Sequence, residues 1–194
     1  MIPARKPVLQ KAPQIQKIRR YTYADYYSWD DDKRWELIDG IAYAMAPAPS
    51  PSHQSISGNI FGQIWQFLCG KKCRLFHAPL DVRLNADTKD DTVVQPDIVI
   101  ICDESKINDR GCAGAPDMVV EILSPSSVEH DMVRKYELYL KYGVREYWIV
   151  DPKTETVAVH ILAGGTYVKQ DYNKTDIAPV NVVEGCFVDF GKVF

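Results

Sequence analysis

Two acidic residues, Asp97 and Glu121, lie inside apolar stretches of the sequence. Asp97 interrupts the run TVVQPDIVII (residues 92–101), and Glu121 interrupts the run MVVEIL (residues 118–123). Both runs have the composition of buried strands, in which side chains two positions apart point to the same face. We therefore expect each acid to point in the same direction as the valine, leucine and isoleucine side chains around it.

A shared metal ion would explain why both acids are tolerated there. A carboxylate removed from water costs several kcal/mol unless a cation or hydrogen-bond donors compensate it. If the two strands are neighbours, Asp97 and Glu121 repel each other, and a divalent cation between them removes that repulsion. Oxygen ligands of this kind suit Mg²⁺ or Mn²⁺. Glu36, in the run WELI, is a further acid that could point to the same place.

Each acid also has a purely structural interpretation. Asp97 follows a proline and could begin a strand, bonded to backbone donors. Glu121 could form an ordinary buried ion pair with Arg134 or Lys135. Glu36 alone could be a half-exposed strand residue. Taken together, the three acids favour a metal site.

Local signals predict the elements that would position these residues. Asp39-Gly40 between two alternating runs predicts a β-hairpin. Ser126 and Glu129 form a capping-box pattern for a helix that ends at Gly143. A short helix is predicted after the N-cap candidate of the run TYADYYSW. Apolar residues at helical spacing predict the first long helix: Ile56, Ile60, Ile64, Phe67 and Leu68.

The C-terminal part of the chain reads as strands. REYWIV, TVAVHIL and TYVKQDY alternate in the way strands do, the last two being joined by a Gly-Gly turn, and GCFVDF predicts an edge strand. Strands and helices mixed with hairpins at both ends predict an α/β fold, a mixed β-sheet flanked by helices. We expect a single domain over residues 21–194.

Composition is that of an ordinary globular protein, with 194 residues, 46% hydrophobic and 25% charged. No segment approaches the ~20 apolar residues of a membrane span, and the N-terminus has no apolar signal region, so we expect a cytoplasmic protein. Five scattered cysteines predict reduced thiols rather than a disulfide framework. A zinc site at Cys69, Cys73 and His77 is an alternative, but no second ligand pair follows at zinc spacing.

The charge is distributed unevenly. The chain has a formal net charge of −3, yet residues 1–20 contain six basic residues and no acid. With three prolines this segment predicts a basic flexible arm, either a solvated tail or an arm that contacts phosphates.

Several of these motifs together carry a resemblance to a known family. QPDIVI, VVEILSPSS and a helix bearing RKYELY are joined by YTYADYY, WELIDG and EYWIVDP. The chain resembles the Uma-type putative restriction endonucleases, abundant in cyanobacteria, a branch of the PD-(D/E)XK nuclease superfamily. The resemblance extends from about Tyr21 to Val188. It implies a restriction-endonuclease-like fold, a divalent metal cofactor and DNA as substrate.

The resemblance also implies roles for particular residues. Asp97 and Glu121 match the metal ligands of the superfamily, and the backbone carbonyl of Ile122 matches a third ligand. Glu36 matches an acid that superfamily members often supply from an N-terminal element. Recurrent family positions without an assigned role, for which we expect packing, strand and turn duties, are His53, Asp81 and Ser124. His77, His130 and His160 are expected to be structural.

The superfamily lysine is displaced in this sequence. It would fall two residues after Glu121, where the chain has Leu123. The resemblance implies that Lys135 on the following helix replaces it, with Arg134 as the competing candidate. A structural alternative for Lys135 is an i, i+4 pair with Asp131 on a solvated face.

Three functions are compatible with these residues. The first is metal-dependent hydrolysis of phosphodiester bonds in DNA by a homodimer, the dimer being expected by analogy with enzymes that cut both strands. The second is a binding or assembly module that keeps the nuclease fold without cleavage, suggested by the acidic body and by Leu123. The third is an acid pair that acts on a small phosphorylated substrate.

Overall fold

Residues 19–45, 47–124 and 130–194 are described by the computed structural model. The helices are α1 (Tyr23–Tyr27), α2 (Pro51–Leu68) and α3 (Tyr136–Tyr142), with a π-helical segment, His130–Lys135, before α3 and short 3₁₀ turns at Glu104–Lys106 and Phe190–Lys192. The strands are β1 (Trp35–Ile38), β2 (Ile41–Ala44), β3 (Arg74–His77), β4 (Val82–Arg83), β5 (Val93–Val94), β6 (Ile98–Ile101), β7 (Ile107–Asn108), β8 (Gly111–Ala113), β9 (Met118–Ile122), β10 (Glu146–Asp151), β11 (Thr156–Ala163), β12 (Thr166–Asn173), β13 (Ile177–Pro179) and β14 (Phe187–Asp189).

The strands form two six-stranded mixed sheets and a small pair, so the predicted α/β class is confirmed. The first sheet has the order β2-β1-β5-β4-β8-β7, and the second has the order β12-β11-β10-β9-β6-β3. Each contains one parallel pair, β4 with β8 and β9 with β10, among antiparallel neighbours. Strands β13 and β14 pair separately.

The second sheet is covered on both faces. Helix α2 lies over one face, where its buried side chains join those of β6, β9 and β10 in one core. The first sheet and α3 cover the opposite face in a second core. The start of β6 and the end of β9 lie together beside the start of α2. The candidate site forms at this edge of the second sheet.

Local sequence signals explain several elements. Asp39 and Gly40 both have positive φ, 48° and 79°, as the predicted two-residue hairpin turn requires. Thr22 and Asp25 form a reciprocal capping box at the start of α1. Gly143 ends α3 in the left-handed conformation.

The predicted strand over residues 92–101 is divided in the structure, so its continuity was wrongly predicted. Val93–Val94 belong to the first sheet and Ile98–Ile101 to the second. Pro96 has no N–H to donate to a ladder, and the chain changes sheets there. Asp97 therefore precedes β6 instead of lying inside it.

The prediction that all cysteines are reduced is wrong for one pair. Cys73 and Cys102 form a disulfide, while Cys69, Cys112 and Cys186 are free thiols. Strands β3 and β6 pair with Arg74 opposite Ile101, so the register brings Cys73 beside Cys102. Because Cys73 is bonded in this way, the zinc alternative also fails.

Some expectations fall outside the described residues. The basic arm, residues 1–20, lies outside them except for its last two residues, and the capping-box pair Ser126 and Glu129 lies wholly outside them. Across the described ranges, no helix combines the length and apolar character that crossing a membrane requires.

Candidate active site

Lys135 lies between two of the predicted acids. Its Nζ donates to Glu36 Oε1 at 3.0 Å and to Glu121 Oε1 at 2.8 Å. All three side chains are buried, with residue exposures of 3–4%. An ammonium group in this position offsets the desolvation of the two carboxylates. Lys135 therefore does not lie on a solvated face, and the ion-pair alternative for Glu121 is present in the structure.

Each acid is also held by a neutral donor. The backbone N–H of Gln95 donates to Glu36 Oε1 at 3.0 Å, and the Tyr139 hydroxyl donates to Glu121 Oε1 at 2.8 Å. Burial, followed by the charges of Glu121 and Glu36, raises the pKa of Tyr139 well above its ordinary value. Tyr139 thus keeps its proton and remains a donor to Glu121 over the whole physiological pH range.

The structure distinguishes Lys135 from Arg134, the competing candidate. The Arg134 guanidinium lies over the ring of Tyr43, 4.7 Å from its centroid, and Arg134 is exposed. Successive residues of a helical segment point in different directions, so only one of the two can face the sheet. Lys135 is the one that reaches the acids.

Asp97 is anchored to the end of the neighbouring strand β9. Its Oδ2 accepts the backbone N–H of Ile122 at 2.8 Å. His53, near the start of α2, contacts both residues, with its Nε2 3.2 Å from Asp97 Oδ2 and 3.1 Å from the Ile122 carbonyl oxygen. The Asp97 carboxylate and the Ile122 carbonyl, two of the predicted metal ligands, are thus brought together around one imidazole nitrogen.

A second polar network, centred on Asp81, adjoins the one around Lys135. The Asp81 carboxylate accepts hydrogen bonds from Tyr26 Oη at 3.0 Å, Tyr23 Oη at 3.2 Å and Gln95 Nε2 at 2.9 Å. Burial and the Asp81 charge raise the pKa of Tyr23 to about 12 and that of Tyr26 further. Gln95 links this network to Glu36. Sequence reasoning missed Gln95, although its place directly before the Pro-Asp dipeptide was a usable signal.

These residues line one open cleft of about 1300 Å³. All five predicted site residues are part of its lining: Glu36, Asp97, Glu121, Ile122 and Lys135. Arg34 and Lys153 add positive charge to the lining, and Arg34 is held by Gln95 Oε1 through its Nε at 3.1 Å and Nη2 at 2.7 Å. The cleft therefore combines buried acids with cations, as a site for a phosphate ester needs.

The remaining predicted positions have simpler surroundings. Ser124 follows β9 and lines the cleft. His77 also lines it, with Nδ1 2.9 Å from the Ala78 carbonyl oxygen. His160 is buried among tyrosine rings in the second sheet, away from the cleft, in agreement with its structural interpretation.

The donor set fits a hard divalent cation. In the part of the chain that the structure describes, no three His, Cys, Asp or Glu side chains converge as a metal cluster. The oxygens found near one another are the Asp97 carboxylate and the Ile122 carbonyl, which both contact His53 Nε2. Carboxylate and carbonyl oxygens are the ligands that Mg²⁺ and Mn²⁺ prefer.

Comparisons with known proteins bear on the family and the fold. The model of the Uma2 family, described as putative restriction endonuclease, matches residues 23–190. An uncharacterized protein, slr1290, from Synechocystis sp. is 30% identical over 117 residues, which cover 59% of this chain and 60% of that relative's length. The crystal structure of a putative nuclease belonging to DUF820 from Anabaena variabilis matches with a TM-score of 0.71 and 21% identity, over 90% of this chain and 97% of the other. The structural likeness establishes the shared fold.

Proposed function

This chain belongs to the Uma2 family of putative restriction endonucleases, and from that premise we propose that it is a metal-dependent nuclease that hydrolyses phosphodiester bonds in DNA. The observation that carries the proposal is the meeting of Glu36, Asp97, Glu121 and Lys135 in one cleft. These residues come from distant parts of the chain: β1, the residue before β6, β9 and the segment before α3. Buried acids gathered from separate elements at an open cleft are typical of functional sites.

Asp97, Glu121 and the Ile122 carbonyl are the groups that would hold Mg²⁺ or Mn²⁺. When bound, such an ion offsets charge on the phosphate and lowers the pKa of a bound water. Tyr139 and Lys135 fix the orientation of the Glu121 carboxylate through the hydrogen bonds they donate. Asp97 is fixed in the same way by the Ile122 N–H.

Lys135 acts at the floor of the cleft. Its ammonium is held between Glu36 and Glu121 and so has a defined position. In that position it would orient the attacking water and offset phosphate charge, as a lysine can where its donors are preorganised. Arg34 and Lys153, which line the same cleft, would contact the DNA backbone.

The binding module without cleavage remains the second candidate, and one observation favours it. Leu123 occupies the place of the superfamily lysine and packs into the apolar core, so it cannot contribute to catalysis. The two candidates differ in metal binding. Calorimetry that detects no Mg²⁺ or Mn²⁺ binding dependent on Asp97 and Glu121 would favour the binding module.

A cleavage assay tests the proposal directly. Single-stranded, duplex and branched DNA are incubated with wild type, Asp97→Asn and Glu121→Gln in the presence of Mg²⁺ or Mn²⁺. We expect cleavage by wild type only, with thermal melting confirming that the variants are folded. Asp109→Asn is the matched control, because Asp109 is exposed in the turn between β7 and β8. A folded Glu121→Gln variant with full activity would contradict the assignment.

The proposal includes a homodimer, by analogy with enzymes that cut both strands of a duplex, which often pair two active sites. Sedimentation equilibrium of the full chain tests this part separately. We expect a mass of twice 22.0 kDa. A monomer that nevertheless cuts duplex DNA would exclude the dimer and leave the nuclease assignment intact.

A further inference from the structure

His53 contacts two of the three groups that the proposed function assigns to the metal ion. We propose that His53 is itself a ligand of that ion, through Nε2, and that it shifts the preference of the site from Mg²⁺ toward Mn²⁺. The inference rests on the proposed function, because it concerns the same ion.

The backbone of His53 is fixed by the start of α2. Ser50 caps the helix, its Oγ accepting the N–H of His53 at 3.2 Å, and Pro51 occupies the first helical position. Four apolar side chains anchor the same helix on the second sheet: Ile56, Ile60, Ile64 and Leu68. The imidazole is therefore presented by a rigid element, as a metal ligand should be.

The distances around Nε2 agree with shared coordination. Nε2 lies 3.2 Å from Asp97 Oδ2 and 3.1 Å from the Ile122 carbonyl oxygen. Adjacent ligands in an octahedral shell about 2.2 Å from the ion are roughly 3.1 Å apart. The imidazole nitrogen thus already lies from each of the two oxygens at the separation of neighbouring ligands.

The environment of the imidazole supports the same role. The His53 side chain is only 12% exposed, compared with 21% for Asp97. Its Nε2 contacts Asp97 and the Ile122 carbonyl, whereas the Lys135 ammonium contacts Glu36 and Glu121. His53 would thus add a nitrogen ligand beside Asp97 and the Ile122 carbonyl.

An imidazole changes which ion the site prefers. Nitrogen ligands suit transition metals, whereas Mg²⁺ is bound by oxygen and keeps several waters. A site in which His53 joins the Asp97 carboxylate and the Ile122 carbonyl should therefore bind Mn²⁺ more tightly than Mg²⁺. A histidine that only donated a hydrogen bond would instead compete with the ion for both oxygens, and its removal would strengthen metal binding.

The test is titration calorimetry with MnCl₂ and with MgCl₂ on the full chain, comparing wild type with His53→Asn. We expect His53→Asn to weaken Mn²⁺ binding about tenfold or more, the scale at which even residues that orient metal ligands act, and to weaken Mg²⁺ binding less. Pulsed electron paramagnetic resonance of bound Mn²⁺ should show ¹⁴N coupling in wild type and lose it in the variant. His77→Asn, another histidine of the cleft, is the control and should keep both properties.

The outcomes separate this inference from the function on which it rests. If wild type binds Mn²⁺ and Asp97→Asn loses it, but wild type shows no ¹⁴N coupling or His53→Asn binds the ion as tightly or more tightly, the role of His53 is overturned alone. If wild type binds neither ion, the metal-dependent function is overturned as well. Thermal melting of His53→Asn confirms that the variant is folded.

Discussion

At the scale of single residues, the site depends on one buried ammonium. Lys135 holds two carboxylates, and each carboxylate has a further donor, Gln95 N–H for Glu36 and Tyr139 Oη for Glu121. The same contacts that would position the acids for chemistry also make their burial tolerable. Stability and the proposed activity are therefore coupled at Lys135.

Replacing Lys135 by methionine should destabilise the fold. Removing one partner of a buried ion pair leaves uncompensated charge and costs about 3–5 kcal/mol. Urea denaturation measures the loss in the free energy of unfolding. The control is Lys72→Met, at an exposed lysine, which should change the free energy of unfolding little. Adding Glu36→Gln and Glu121→Gln to Lys135→Met should recover part of the loss, and a Lys135→Met variant as stable as wild type would contradict the buried pair.

At the scale of elements, the backbone of β8 supports the Asp81 network. Gly111 has φ 108°, and its neighbour Cys112 donates its N–H to the Asp81 carbonyl at 2.8 Å. A Cβ on Gly111 would overlap that same carbonyl oxygen. Glycine is required here because another residue would displace Asp81 from Tyr23, Tyr26 and Gln95.

Two glycine-to-alanine variants should therefore change the free energy of unfolding in opposite directions. Gly111→Ala combines strain at positive φ with a backbone overlap and should destabilise the protein by about 2 kcal/mol or more. Gly58→Ala, at an exposed site on α2 where a Cβ meets nothing within 4 Å, should stabilise it by about 0.5–1 kcal/mol. Urea denaturation compares both with wild type. Equal effects of the two variants would contradict this account.

The disulfide connects β3, at the edge of the second sheet, to β6. Cross-linking residues 29 positions apart restricts the unfolded chain and stabilises the folded one by up to about 3.5 kcal/mol. Dithiothreitol should therefore lower the free energy of unfolding of wild type. A Cys73→Ser variant should have the lower value already and should not respond to the reductant. An equal decrease in the free energy of unfolding of both proteins would show that dithiothreitol does not act through the Cys73–Cys102 disulfide.

At the scale of the whole molecule, His160 links stability to pH. It is buried beside the rings of Tyr136, Tyr147 and Tyr167, with Lys169 and Asp171 nearby. Burial lowers the pKa of His160 below its ordinary value of 6.5. Below pH 6.5 the unfolded chain thus takes up a proton that the folded chain does not, and stability falls as the pH falls.

His160→Gln should reduce that pH dependence. Wild type should lose more free energy of unfolding than the variant when the pH is changed from about 7.5 to 5.5, a range that lies above the ordinary pKa of carboxylates. Urea denaturation at both pH values provides the comparison. Identical losses in the two proteins would show that His160 does not titrate differently in the folded chain.

Local patterns in the sequence determined most of the elements. The hairpin at Asp39-Gly40, the apolar spacing of α2, the glycine stop of α3 and the alternation of β10 to β12 were all predicted correctly. These features depend on neighbouring residues, whose turn chemistry and periodicity act over a few positions. The acids Glu36, Asp97 and Glu121 were likewise recognisable, because a carboxylate in an apolar run requires an explanation. Their catalytic roles stay predictions.

Only the tertiary structure decided how distant residues meet. The division of residues 92–101 between two sheets and the pairing of Cys73 with Cys102 depend on which strands pair and in what register. The contact of Lys135, and not Arg134, with the acids depends on how the helical segment before α3 faces the sheet. The contact of His53 with Asp97 and Ile122 depends on where α2 crosses the end of the sheet. Side-chain types and short spacings are properties of the sequence, whereas contacts across 25 or more positions arise only when the sheets and helices pack together.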